Sequence, residues 1–285
     1  MIRRAAITLA ILAVAAASAQ AGRRLDRARQ TGTASAQVLY LPSGRYLKVA
    51  SLGFPELLAD LVYIWSIQYY GNYDASDRFQ YLEHVYGSVI SELDPHYIDP
   101  YLVGSLIMSI EAQDHEMALR LLDKGIAANP REWILPFEAG FTCYDSLGDH
   151  ARAARYFEQA MRIEGAPGAI RRLHAEMFNR MGDRRTSLAY WREVYQEASN
   201  DYVKDVSWRH VHDLTIEVHL EDLRAAVQEY RRRFDSWPPD LKALPRAGLL
   251  EEVPVDPDGR PYRYDRSTGA VASQSPFSLY RKPAR

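Results

Sequence analysis

The densest set of potential ligands in the sequence runs from His210 to Glu221, where His210, His212, Asp213, His219 and Glu221 share one stretch of helical character. A zinc site on a helix face needs histidines at i and i+4, whereas side chains at i and i+2 point about 200° apart. His210 and His212 therefore cannot chelate one ion, and no metal ligand set is expected. Asp256 and Asp258 raise the question of calcium, but a calcium loop draws ligands from several alternating positions over about twelve residues. Here Pro257 and Gly259 interrupt, and the aspartates read as turn formers. The sequence has no phosphate-cradling glycine loop, no Gly-x-Ser-x-Gly elbow and no His-Glu-x-x-His. Glu251-Glu252 lies in loop-like sequence. The reading is no catalytic residue, no cofactor and no metal. Glycosidase-type carboxylates carry no short motif, so an enzyme acting on cell-wall glycan through an acid pair in a groove stays open as the alternative.

Composition narrows the classes further. Of 285 residues, 47% are apolar and 25% charged, which fits a folded chain and argues against wholesale disorder. A net charge of −2 gives no basic surplus for nucleic acid, and none is expected as a partner. One cysteine, Cys143, rules out an intrachain disulfide framework and reads as a small buried residue on a helix.

The elements that could position a site come from a repeat. The turns Gln113-Asp114-His115, Gly148-Asp149-His150 and Gly182-Asp183-Arg184 place Ala118, Ala153 and Ser187 in register, at spacings of 35 and 34 residues. Such a period with a helix pair per unit is that of a solenoid, and the small residue after each turn marks where two helices approach. The first unit contributes Leu102, Ala118, Leu122, Gly125 and Pro130. The second offers Phe137, Gly140, Tyr144, Gly148, Ala153, Phe157 and Ala160, and the third Phe178, Gly182, Ser187, Trp191 and Val194. On these residues the chain resembles the tetratricopeptide (TPR) repeat family, with Leu106 and Ala175 where the family has glycine in the first helix. The resemblance implies an all-α fold, a right-handed α-solenoid of TPR-like helix pairs, and a protein-binding scaffold. By that register the concave groove comprises Val103, Ile107, Glu138, Thr142, Asp145, Arg172, Glu176, Asn179 and Arg180, the expected partner-binding residues. They lack the lysine and arginine clamp that grips a terminal carboxylate.

Residues 1–21 carry Arg3-Arg4, all but the last residue of the uncharged run Ala5 to Gly22, and small-residue sites at Ala17-Ser18-Ala19 and Ala19-Gln20-Ala21. They read as a signal peptide or membrane anchor, so the chain is expected to be exported: anchored in the inner membrane facing the periplasm, or periplasmic after cleavage. A buried helix of a cytosolic adaptor is the competing reading. Residues 22–50 read as a linker, with a turn at Pro42-Ser43-Gly44, and 51–219 as the solenoid. Its first member is Pro55 to Tyr70, a helix apolar almost all round that must be covered on more than one side, paired with Phe79 to Leu93. Asp201 to His219 is expected to cap the array. Residues 220–285 read as a helix from Leu220 to Phe234 followed by a small β-hairpin through Tyr262, Tyr264, Ser267-Thr268-Gly269 and Val271. The stretch from Tyr230 to Ser273, with Pro254-Val255-Asp256-Pro257-Asp258-Gly259-Arg260-Pro261-Tyr262-Arg263-Tyr264, resembles the closing part of major pseudopilins of type II secretion. The pilin N-terminus is missing, so polymerisation is not implied. The order of these segments also resembles an uncharacterised group of bacterial membrane-anchored repeat proteins. Together these likenesses imply a non-catalytic envelope scaffold whose partner is a secretion or pilus-type assembly component.

Overall fold

The computed structural model of the chain describes residues 41–73 and 78–277, which fall into two compact units divided after Pro100. The expected signal or anchor, residues 1–21, and the linker as far as residue 40 lie outside the described residues.

In the first unit, α1 (Gly44–Ala50) and α2 (Pro55–Tyr70) both pack on a third helix. That helix, α3, begins at Leu82–His84, widens into a π-helical segment Val85–Ile90 and ends with Ser91–Leu93. Helix α1 is a correction, since its residues fall in the stretch read as turn and linker. A seven-residue helix is too short to hold itself in water. Tertiary contact fixes it: a Cβ on Gly44 would stand 2.5 Å from the Val89 carbonyl oxygen, and Glu92 Oε2 accepts from the Arg45 backbone N–H at 2.9 Å. Between α2 and α3 lies a tyrosine-rich core in which the Tyr63 and Tyr86 rings meet edge to face at 6.5 Å. Ser66 Oγ donates to the Tyr86 hydroxyl at 3.0 Å, and burial pushes that phenol up to about 12.

The second unit is the solenoid, and its fold is all-α apart from one small hairpin. Helix α4 (Ile98–Leu106, continuing as a π segment Ile107–Glu111) pairs with α5 (His115–Ala128). Helix α6 (Ile134–Phe141, then a π segment Thr142–Ser146) pairs with α7 (His150–Met161), and α8 (Ala169–Arg180) with α9 (Arg184–Gln196). Each turn works the same way. Asp114, Asp149 and Asp183 cap the second helix of their pairs by accepting from the backbone N–H three residues on, at 2.9, 2.9 and 3.1 Å. The residue before each cap, Gln113, Gly148 or Gly182, has positive φ.

The unequal period has a backbone cause. In the first two pairs the chain closes through the π segments, with Ala112 N bonded to Ile107 O and Leu147 N to Thr142 O. The third pair has no π turn, and Met181 N reaches Met177 O, one residue nearer. A π turn absorbs one extra residue, so the 35-residue spacing shortens to 34 once it is lost.

Packing follows the repeat. Ala118, Ala153 and Ser187 are fully buried, as are Leu122 and Phe157 at one repeated large position, with Trp191 nearly so. Ser187 Oγ donates to the Ala175 carbonyl at 2.8 Å across the third pair. One register assignment needs correcting: Leu106 is not the small contact position of the first pair. It is exposed, while Ser105, 35 residues before Gly140, is buried. Neighbouring second helices are joined by Arg152 to Glu116 at 2.7 Å and by Tyr156 Oη donating to Asp123 at 2.8 Å.

Helix α10 (Asp201–Phe234) runs unbroken for 34 residues. The boundary drawn between His219 and Leu220 is therefore absent: one helix serves both as cap and as the start of the tail. Its earlier turns lie on α9 through Leu214 and Val218, and its later turns, with Leu220, Leu223 and Val227, share a core with Leu244, Tyr262 and Val271. After the short α11 (Ala243–Arg246) the hairpin forms from β1 (Arg263–Asp265) and β2 (Ala270–Ala272), antiparallel with Tyr264 opposite Val271.

Candidate functional site

The first helices of the three pairs, α4, α6 and α8, carry the nine expected groove residues, and none of the nine is buried. The structure gathers them unevenly. On α8, Glu176 is held by Arg180, Nε to Oε1 at 3.2 Å, and accepts from Asn179 Nδ2 at 3.4 Å. The Arg180 guanidinium lies 5.3 Å from the Tyr144 ring, which links this polar group to the second pair. Arg172 and Glu176 line a recess of about 410 Å³ together with Leu173, Trp191, Val206 and His210. Thr142 and Asp145 sit in the π segment that ends α6, and Val103 and Ile107 stand on α4 and at the start of its π segment. Glu138 is part-buried on α6, and burial raises its carboxyl pKa above the usual range.

Sequence reasoning named Val103 and Ile107 on this face but missed its most exposed apolar members. Leu106, Ile110 and Phe141 are large and stay 54%, 60% and 41% exposed. Leu106, Phe141 and Glu176 occupy one register position, 35 residues apart. The signal was available, because a register position that is large and apolar in two repeats and charged in the third marks a graded face. Phe141 also stands within a ladder of rings along α6, 6.2 Å from Phe137 and 6.2 Å from Tyr144. The face thus changes from aliphatic on α4, through aromatic on α6, to an acid and base pair on α8.

Trp191 and His210 close the floor of the recess, their rings stacked 3.8 Å apart and 3° from parallel. Burial drives the His210 imidazole pKa down to about 4, against the opposing pull of Asp213. Trp191 Nε1 and His210 Nδ1 are buried without hydrogen-bond partners. His212 turns elsewhere: its Nδ1 lies 2.8 Å from Asp213 Oδ1 and its Nε2 3.5 Å from Asp258 Oδ1. The two histidines thus diverge as the helix geometry requires, and among the described residues no group of three His, Cys, Asp or Glu could hold a metal ion. Asp256 is spent on its turn, its Oδ1 accepting from the backbone N–H of Asp258 at 3.1 Å and of Arg260 at 2.7 Å. Cys143 is fully buried, and burial pushes its thiol up to about 11.

Comparison with known proteins adds little beyond this geometry. No family model matches the chain, and no curated protein matches it. Among solved structures it is similar to a thermophilic TPR protein in Thermus thermophilus, with 19% identity over 58% of this chain and 94% of that one, at a TM-score of 0.34.

Proposed function

We propose that the chain is a non-catalytic scaffold of the bacterial cell envelope whose solenoid holds a protein partner on the face of α4, α6 and α8, within a secretion or pilus-type assembly. One observation carries this reading: Leu106, Ile110 and Phe141 stand exposed in repeat register beside the Glu176 and Arg180 pair. Apolar anchors next to a directional charge pair suit a protein segment with an apolar end and a polar end, and aromatic anchors tend to dominate such contacts. The envelope setting is supported by the export-type sequence of residues 1–21, and the kind of assembly by the pseudopilin-like tail from Tyr230 to Ser273.

The test is in-cell photocrosslinking of the full chain with a reactive residue at Phe141, and at exposed Arg155 on α7 as control. Enrichment of one envelope-assembly protein from position 141 but not 155 is the expected result. Equal capture at both positions, or capture of cytosolic proteins alone, would overturn the proposal.

A further inference from the structure

The recess formed by α8, α9 and α10 combines apolar walls with polar groups that want one kind of partner. Ala169, Leu173 and Val206 line it above the stacked rings of Trp191 and His210. Arg172 and Glu176 also line it, one helical turn apart on α8. Glu176 is engaged, by Arg180 at 3.2 Å and by Asn179 at 3.4 Å. Part-exposed Arg172 has no ion-pair, hydrogen-bond or ring partner among the described residues. It sits in the first turn of α8, whose N-terminus carries no side-chain cap, and the helix dipole disfavours a cation at that end. Helix stability therefore does not account for this arginine.

Trp191 is only 3% exposed, yet its indole Nε1 has no acceptor, a costly state for a buried donor. Guanidinium and indole N–H groups can only donate. His210 Nδ1, likewise unpaired, joins them in the tautomer that places its proton there. The charges on neighbouring turns cancel. Arg171 is joined to Glu197, and Arg209 to Asp205 at 2.7 Å. Arg192 and Glu193 follow Trp191 with opposite signs, as do Asp201 and Lys204 at the start of α10. Asp213 is buried and lies 2.8 Å from His212 Nδ1. Arg172 is left as the unpaired charge of the recess.

We propose that the recess receives a segment of the protein partner in which an aspartate or glutamate stands beside a large apolar residue, the carboxylate on Arg172 and the apolar side chain over the Trp191 and His210 rings. A carboxylate offers acceptors only and meets a guanidinium through two parallel N–H bonds. A basic segment would set cation against cation, and an uncharged one would leave Arg172 unpaired. The volume of about 410 Å³ is that of a small ligand pocket, enough for two side chains. Continuity favours a chain over a free small carboxylate: Arg180 lies 5.3 Å from the Tyr144 ring, and Tyr144 6.2 Å from exposed Phe141, so one segment can pass from the recess to the rings of α6. The inference rests on the protein-binding reading above and gives the chemistry of one end of the bound segment.

The experiment selects short random peptides from a displayed library on the immobilised full chain, and measures the enriched peptides in solution by fluorescence anisotropy. Enrichment of an acidic residue next to leucine, phenylalanine or tryptophan is expected. For such a peptide, Arg172→Gln in the protein and a glutamate-to-glutamine change in the peptide should each weaken binding about tenfold, and both together little more than either alone. The peptide change leaves the protein untouched, so the outcome does not depend on how well the variant folds. Phe141→Ala reports on the rest of the face. Peptides that need Phe141 but show no acid preference, or that bind Arg172→Gln unchanged, overturn the assignment of the recess and leave the scaffold reading standing. Enrichment of basic peptides overturns the assignment as well. A chain that enriches no peptide refutes both.

Discussion

Gly140→Ala puts the helix interlock of the second repeat to a quantitative test. Placed in α6, alanine should favour the helix by about 1 kcal/mol over glycine. The structure opposes this gain, since a Cβ at position 140 would stand 2.7 Å from both Cδ1 and Cε1 of Phe157. Ordinary contact begins near 3.4 Å, so the ring would have to retreat by about 0.7 Å, and Phe157 is fully buried with nowhere to go. Overpacking of this kind costs about 1–3 kcal/mol, and with a rigid ring as the obstacle the upper half of that range applies. The net expectation is destabilisation by about 1–2 kcal/mol. Urea unfolding of the full chain, followed by tryptophan fluorescence, measures it as a lowered midpoint at constant slope. The first repeat supplies the rescue, because Ser105 and Leu122 occupy the positions of Gly140 and Phe157 there. Gly140→Ala combined with Phe157→Leu should therefore lose less than the sum of the single changes, with a coupling of about 1 kcal/mol or more. A stabilised or neutral single variant would refute the close approach, and strict additivity would refute Phe157 as its cause.

Three further outcomes concern stability. Asp149→Ala removes both the cap on the Arg152 N–H and the 3.0 Å ion pair with its guanidinium, and should cost about 1 kcal/mol, with less α7 protection in hydrogen exchange. His210 is held near 4 when folded against about 6.5 unfolded, so the unfolded chain binds more protons between those values and stability falls as pH drops through that window. Allowing for partial solvent access, the loss between pH 7 and pH 5 should be about 1 kcal/mol, and His210→Gln should abolish that share. Glu138 has the opposite sign: its folded pKa is raised by burial, so its ionisation costs stability as pH rises above the ordinary carboxylate range. Glu138→Gln should raise the melting temperature at pH 7 and leave it nearly unchanged at pH 4.

What the sequence disclosed and what it withheld divide along physical lines. The three Asp caps and the small residues after them were legible because a turn is a local device with a narrow choice of residues. The hairpin through Tyr262 and Tyr264 was legible for the same reason. Leu106 was misplaced because a π turn leaves no residue signature, and its extra residue shifts any register counted in whole α-turns. Helix α1 was missed because its stability comes from Gly44 lying against α3, a contact 45 residues away in the chain that no local pattern reports. The false break at His219 arose where α10 changes partner from α9 to the tail. The buried stripe moves around the helix there, and a moving stripe resembles an ending. The groove was read by family register, which took in Val103 and Ile107 but passed over Leu106, Ile110 and Phe141: apolar residues at regular spacing look like core until the structure leaves them outside.

The unbroken course of α10 makes it a ruler. At about 1.5 Å per residue its 34 residues span roughly 50 Å, and the step from His210, beneath the recess, to Val227, in the core with the hairpin, is about 25 Å along the axis. With no glycine, proline or π turn between those points, the helix has no joint at which to bend. Whatever grips the hairpin is held at a set distance and rotation from whatever occupies the recess, so two partners bound there would be spaced by the protein and not merely brought together by it.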